Sequence, residues 1–148
     1  MIDWNLTRSH TVDDVEWPKP KLRAVEISPV DSVRIRLPEG RSFASDGDVV
    51  HDITLDRRDS IVQGVQIDSH PRSAADAHEL AVDWAGDWGL SREPLDRWRE
   101  GDTKTPVITS VPREERLGED GPLPTVEIRR SFVDERPALV SLQFYWPD

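Results

Sequence analysis

The stretch from Ser73 to Leu90 constrains the fold most, because it is the one strongly helical segment in a chain whose other apolar segments are typical of short strands. At a helical period of about 100° per residue, its apolar side chains fall on one side. These residues are Ala77, Leu80, Ala81, Trp84 and Trp88. A helix with one apolar side must bury that side against another layer. We therefore expect this helix to cover one face of a sheet.

The ends of this helix carry clear signals. Ser73 suits the N-cap position, and Asp76 follows three residues later, where the helix dipole favours a negative charge. Gly89 suits the first residue beyond the C-terminal end, which often adopts a left-handed conformation. A second, short helix is predicted between Ser91, as its cap, and Gly101. Its inward-facing residues are Leu95 and Trp98.

Alternating apolar and polar residues predict strands on both sides of the helix pair. The predicted strands span residues 24–27, 32–37 and 106–111, together with a hairpin formed by 49–55 and 61–67. In this hairpin we expect Val49, His51, Ile53 and Leu55 to share one face of the first arm, and Ile61, Val65 and Ile67 to share one face of the second. Gly64 predicts a β-bulge or a close backbone approach in the second arm.

The chain closes with a second hairpin, whose turn is predicted around residues 134–137. Its inward-facing residues are Val126, Ile128 and Phe132 on the first arm and Val140, Leu142, Phe144 and Trp146 on the second. The second arm shows the strongest alternation in the chain, so we expect it to lie centrally in the sheet.

This order of elements predicts an α+β fold. We expect a mostly antiparallel sheet of five to seven strands, in which two hairpins flank a helix pair and the main helix packs on one face. The length of 148 residues fits one domain. We expect residues 1–23 to form an N-terminal arm and residues 24–148 to form a single α+β domain. Trp4 and Trp17 are expected to anchor the arm, because burying a Trp side chain is strongly favourable.

Beside its apolar side, the main helix carries a stripe of acidic residues with no Lys or Arg among them. The stripe consists of Asp76, Glu79, Asp83 and Asp87. Because like charges at this spacing destabilise a helix by about 0.2–0.5 kcal/mol per pair, the stripe is a candidate surface for a basic partner. The alternative is an ordinary solvated helix face. If Trp84 is partly exposed, the stripe would also surround an aromatic anchor, which is the arrangement of an interface hot spot.

The charge balance bears on the class of partner. The formal net charge is −10 and no cluster of Lys and Arg is free of acids, so we expect no binding to nucleic acid or to an anionic membrane surface. No apolar run approaches the length of a membrane span, and the first residues lack the features of a signal peptide. We therefore expect no membrane insertion and, by default, a cytoplasmic location. No sequence feature selects an oligomeric state.

No catalytic, cofactor-binding or metal-binding residues are predicted. The chain contains no Cys, which excludes disulfides and thiolate chemistry, and it has neither a nucleophile elbow nor a glycine-rich phosphate loop. Its four histidines show no metal-ligand spacing. A metal site of His51 with neighbouring carboxylates stays an alternative to a histidine that is satisfied by a backbone carbonyl. Residues 45–48 are predicted to form a turn rather than a calcium loop.

Three classes of function are compatible with these patterns. The one we favour is a small acidic protein-binding module, such as an inhibitor, immunity or adaptor protein, that recognises a basic protein, for example a nuclease-type toxin. The second is a ligand-binding or structural soluble domain of an envelope-associated protein, with a pocket between sheet and helix lined by the helix tryptophans and Phe144. The third is an enzyme with a dispersed active site, which an interacting set of His51, Asp52 and an opposing acid in a cleft would favour.

Overall fold

The computed structural model of the protein describes residues 1–15, 17, 22–101, 103, 105–130 and 138–147. Within these residues the chain forms nine β-strands and two α-helices. The strands are β1 (Ile2–Asn5), β2 (Ala24–Ile27), β3 (Ser32–Arg36), β4 (Ser42–Asp46), β5 (Val50–Arg58), β6 (Ile61–Ser69), β7 (Val107–Ser110), β8 (Leu123–Arg130) and β9 (Ala138–Tyr145). The helices are α1 (Ala74–Asp87) and α2 (Glu93–Glu100).

Six strands form the larger sheet, in the order β2-β5-β6-β9-β8-β7, and every neighbouring pair is antiparallel. The predicted α+β fold with a mostly antiparallel sheet is therefore confirmed. β9 lies inside the sheet between β6 and β8, as its alternation predicted. Its core-facing residues Val140, Leu142 and Phe144 have no exposed surface. The predicted turn at 134–137 and Phe132 lie outside the described residues.

A smaller sheet of three strands has the order β1-β3-β4. β1 runs parallel to β3, and β4 runs antiparallel to it. The sequence analysis predicted β3 but neither of its neighbours, because β1 and β4 are short and only weakly alternating. Trp4 in β1 is only 4% exposed, so it anchors the first residues of the chain, as expected. The boundary of an N-terminal arm at residue 23 stays a prediction.

α1 begins and ends where the sequence predicted. Ser73 is its N-cap, and the Ser73 hydroxyl accepts a hydrogen bond from the backbone N–H of Asp76 (3.2 Å). Gly89 has a φ of +70°, a left-handed conformation that a Cβ atom disfavours. The N–H of Leu90 then donates to the carbonyl oxygen of Ala85 (2.8 Å), which is the long bond of a Schellman motif.

α2 begins slightly later than the sequence predicted. Its N-cap is Arg92, which makes no side-chain capping bond, whereas the Ser91 hydroxyl accepts a hydrogen bond from the N–H of Glu93 (3.3 Å). The predicted inward-facing residues are correct, since Leu95 and Trp98 are both buried.

α1 packs on the larger sheet against β8 and β9. The helix presents its predicted apolar side to this contact, although Leu80 is only partly buried. The ring of Trp84 meets the ring of Phe43 in β4 edge-on, with centroids 5.7 Å apart, and Trp88 meets Phe144 in β9 in the same way at 4.7 Å. The helix, the smaller sheet and one face of the larger sheet therefore share one hydrophobic core.

The prediction that His51 shares a face with Ile53, and Ile61 with Val65, is wrong. The register between β5 and β6 shifts twice, once at His51 and once beside Gly64, where a bulge was predicted. Because a bulge inserts one residue, it reverses the alternation of side chains beyond it. The side chain of His51 is consequently 47% exposed while Val50 points into the core. Likewise, Ile61 is 48% exposed and Val62 takes the inward position.

Candidate functional site

The predicted partner-binding residues lie in a row along α1. Asp76, Glu79, Asp83 and Asp87 are all exposed, and we call this row the outer face of α1. Their spacing of three or four residues places them on one side of the helix, turned away from the side that packs against β8 and β9. Because both ends of α1 are capped and its inner side is in the core, the row is held on a rigid element.

The four carboxylates of the outer face form no ion pair with any residue in the described part of the chain. The guanidinium of Arg41 lies at the C-terminal end of the row. It donates a hydrogen bond to the main-chain carbonyl of Asp87 and stacks over the Trp88 ring, 4.7 Å from the centroid. A cation at this place suits the negative end of the helix dipole. Arg41 therefore caps the helix rather than neutralising a carboxylate.

Trp84 does not provide the aromatic anchor that a hot spot on this face would need. Its side chain is only 6% exposed, because the ring packs beneath the helix against Phe43. A hot-spot aromatic residue must be reachable by the partner. The condition of a partly exposed Trp84 is thus not met, and the outer face of α1 offers charge rather than apolar area.

An acid on the neighbouring helix is paired within the fold. Asp96 of α2 lies 2.8 Å from His78 Nε2, and Arg92 donates from Nε to the same carboxylate (2.9 Å). The hydrogen bond from Arg92, and to a smaller extent that from His78, holds the pKa of Asp96 below its ordinary value. Asp96 thereby ties α2 to α1, in contrast to the acids of the outer face.

A second polar region lies on the face of the larger sheet opposite to α1. At its centre, Asp52 of β5 stands directly across from Asp68 of β6, and we call these two residues the carboxylate pair. Asp68 is only 8% exposed and accepts hydrogen bonds from the hydroxyl of Ser141 on β9 (2.5 Å) and from Gln66 Nε2 (3.1 Å). Arg129 of β8 brings a guanidinium nitrogen within 3.8 Å of the same carboxylate.

Within the carboxylate pair, protonation of Asp52 is shifted towards neutral pH. Burial, followed by the hydrogen bond with Asp68, raises the pKa of Asp52 to about 6, and the charges of Asp68 and Glu26 act in the same direction. A hydrogen bond from His51 opposes these effects. Because two ionised carboxylates directly across a strand pair repel each other, a shared proton is favourable in mildly acidic solution. A carboxyl group of this kind can donate or accept a proton near neutral pH.

His51 and His70 are distant in the sequence but lie in contact in the tertiary structure. The rings of His51 and His70 meet edge-on, with centroids 5.0 Å apart. Nδ1 of His51 lies 2.8 Å from the Asp52 carboxylate, whereas Nε2 of His70 lies 2.7 Å from the carbonyl oxygen of Gly47 in the predicted turn. The backbone partner considered for His51 therefore belongs to His70. Across the described ranges, no group of three or more His, Asp or Glu side chains is arranged to hold a metal ion.

Sequence reasoning missed Asp68 and His70 because it misjudged the hairpin register. The predicted connection of residues 56–60 would pair Leu55 with Ile61. In the structure Leu55 pairs with Val65, and only two residues separate the end of β5 from the start of β6. Counting outwards from a two-residue turn would have placed Asp52 and Asp68 nearly opposite each other. The bulge beside Gly64, which the sequence predicted, would then have brought Asp52 opposite Asp68.

The helix tryptophans do not line a ligand pocket of the kind that the second functional class requires. Trp84, Trp88 and Trp98 are each 6% exposed, and Phe144 has no exposed surface. Their side chains fill the space between α1, α2 and the sheet, so they act as core residues.

No protein-family model matches the chain, and neither the curated proteins nor the solved structures contain a match to it. Within the residues that the structure describes, no helix is both long enough and apolar enough to cross a membrane. Function must therefore be inferred from the chemistry of the protein's own surfaces.

Proposed function

We propose that this protein is a protein-binding module that recognises a basic protein partner through the outer face of α1. The observation that carries the proposal is the row of four exposed carboxylates, none of which is neutralised by a cation in the described part of the chain. Charge complementarity sets the class of partner, since a surface of this kind attracts Lys and Arg side chains. The net charge of −10 adds a long-range attraction of the same sign.

The spacing of the row supports a role other than folding. Asp83 stands four residues from both Glu79 and Asp87, and each like-charge pair destabilises the helix by about 0.2–0.5 kcal/mol. Cationic side chains of a partner would remove this repulsion on binding. The free energy of repulsion in the isolated protein would then add to the affinity of the complex.

The dimensions of the row fit an interface centre. With a rise of about 1.5 Å per residue, the distance along the helix from Asp76 to Asp87 is about 16 Å. A stable interface covers about 800 Å² on each partner, so surfaces adjoining α1 would complete it. Because the outer face offers charge and little apolar area, we expect an affinity that falls steeply as salt is added.

The test is an affinity capture from the cells that naturally make the protein, followed by measurements on the purified partner. The baits are the wild type, the double variant Asp83→Lys/Asp87→Lys, and a control, Glu114→Lys/Glu115→Lys. The control residues are exposed and lie in the short 3-10 helix Arg113–Glu115, and their reversal changes the net charge by the same amount. A basic protein that binds the wild type and the control should bind the α1 variant about 10- to 100-fold more weakly, with a flatter salt dependence.

Two results would contradict the proposal. One is an affinity of the α1 variant within about twofold of the wild type, which would remove the helix from the interface. The other is an equal loss in the control variant, which would show that only the total charge matters. Circular dichroism and thermal unfolding of all three baits establish that each is folded before the affinities are compared.

An enzyme is the second candidate, favoured by the carboxylate pair. Asp52 has a pKa near 6 and touches both His51 and Asp68, which are groups able to pass a proton. Such an enzyme would show a rate that inflects near pH 6, and the inflection would vanish in Asp52→Asn. A rate profile that Asp52→Asn leaves unchanged would exclude this site.

A further inference from the structure

A groove of about 410 Å³ lies at the end of the larger sheet, beside the turn that joins β5 to β6. Its lining includes His10, Arg58, Ile61, Arg116, Asp120 and Trp146. A smaller cavity of about 240 Å³ shares His10, Asp120 and Trp146, so the groove continues towards the loop of residues 117–121. The volume lies in the range of sites that bind small molecules. None of the acids on the outer face of α1 takes part in the lining.

One wall of the groove is flat and fixed, because the ring of His10 lies on the ring of Trp146, which is itself only 4% exposed. The rings of His10 and Trp146 stack with centroids 4.6 Å apart and an angle of 11° between their planes. His10 is held twice by Val62, through Nδ1 to its carbonyl oxygen (2.7 Å) and through the Val62 N–H to the His10 carbonyl (2.6 Å). Beside this stack, Ile61 leaves 48% of its surface exposed. A planar apolar group can therefore bury surface here without rearranging the wall.

Two opposite charges in one loop face this groove. Nε of Arg116 donates a hydrogen bond to the carbonyl oxygen of Gly121 (2.7 Å), which fixes the guanidinium. The loop is tight, since a Cβ atom at Gly121 would lie only 1.4 Å from the carbonyl oxygen of Leu117. Asp120 also lines the groove, yet it forms no ion pair with Arg116 or with any other described residue.

This separation of charge points to the chemistry of a ligand. The terminal nitrogens of Arg116 make no hydrogen bond with the described residues, and a guanidinium binds a carboxylate through two parallel bonds. The Asp120 carboxylate, in turn, suits an ammonium group. A ligand with both charges would satisfy each group. Arg58 and Asp59 add one further charge of each sign to the lining, so the groove as a whole is balanced and favours a ligand without net charge.

We propose that this groove binds a small zwitterion with a flat apolar body, which is the chemistry of an aromatic amino acid. Its carboxylate binds Arg116, its ammonium group binds Asp120, and its ring lies against Ile61 and against the ring of His10, which the buried Trp146 ring supports from behind. The site is separate from the outer face of α1, so a test of this proposal does not depend on the proposed partner surface.

The test is a titration of the isotope-labelled protein followed by amide and indole NMR signals. The three probes are phenylalanine, 3-phenylpropionate and 2-phenylethylamine, which share the ring and differ in which charges they carry. Phenylalanine should cause saturable shifts at His10, Ile61 and Trp146, with an affinity at least about fivefold higher than that of either singly charged probe.

Variants then separate the two charges. Arg116→Gln and Asp120→Asn should each weaken phenylalanine binding at least about fivefold. Asp120→Asn is the more informative change, because the Asp120 side chain makes no bond that the fold requires. The Asp83→Lys/Asp87→Lys variant should bind phenylalanine like the wild type. The proposal is overturned if phenylalanine causes no saturable shifts at the groove, if a singly charged probe binds as tightly, or if Asp120→Asn leaves the affinity unchanged.

Discussion

The outer face of α1 and the polar face of the larger sheet both carry carboxylates, but the fold treats them differently. On α1, the four carboxylates of the outer face are exposed and form no ion pairs among the described residues. On the sheet, Asp68 is 8% exposed and bonded to Ser141, and Asp52 stands directly opposite with a pKa of about 6. Both regions place like charges close together, but they differ in their contact with solvent and in the partners that the fold gives them.

The difference shows how burial decides what an acidic residue can do. Water screens the carboxylates of α1, so their repulsion is weak and they can meet a partner directly. On the sheet, lost solvation and a facing carboxylate make the ionised state of Asp52 unfavourable, so this acid responds to pH instead. The carboxylate pair therefore links stability to protonation, whereas the acids of α1 lie in contact with solvent.

The largest effect should come from removing the support beneath the outer face. Trp84→Ala is expected to lower the free energy of unfolding by about 3–5 kcal/mol, because it empties a buried space against Phe43. Urea unfolding measures the change, with Trp84→Phe as the milder control. A loss below about 1 kcal/mol would mean that α1 presents another side to the core, and the contrast between its two sides would collapse.

A smaller effect is expected on the sheet. The folded pKa of Asp52, about 6, lies above its ordinary value of 3.8, so the folded state binds more protons than the unfolded state between these two values. Stability from this group is therefore highest below about pH 4 and falls as pH rises through about 6. Asp52→Asn should raise the free energy of unfolding at pH 7 by about 1 kcal/mol, after allowing for partial solvent screening.

The same variant should bring no gain near pH 4, where Asp52 is protonated in the folded protein. Chemical unfolding at several pH values checks this, with Asp56→Asn as the control because Asp56 is an exposed acid on the same strand. An equal gain at pH 4 and pH 7 would show that repulsion within the carboxylate pair is not the cause.

The smallest effect is expected on α1. Asp83→Asn removes two like-charge pairs, with Glu79 and with Asp87, so the free energy of unfolding should rise by about 0.5 kcal/mol. Thermal unfolding at low and high salt measures it, and salt should remove most of the gain. A gain that salt leaves untouched would contradict the solvent-screened environment that distinguishes this row from the carboxylate pair.

The helix and the sheet class could be read from the sequence because both depend on local periodicity. The caps at Ser73 and Gly89, the inward side of α1 and the central place of β9 follow from residue spacing and from the conformations that single residues prefer. The exposure of the outer face of α1 also follows, since it lies beside the apolar side and consists only of charged residues. These features need no knowledge of distant contacts.

The carboxylate pair and the groove could not be read in this way. Asp52 meets Asp68 only because the bulge beside Gly64 shifts the register between the hairpin turn and this pair, and a one-residue slip moves every side chain beyond it to the other face. The groove joins His10, Ile61, Arg116 and Trp146, which come from four separate segments. Local preference sets the elements of this protein, but cross-strand register and long-range packing, which no short window of residues records, decide which acids share a proton and which charges face a common space.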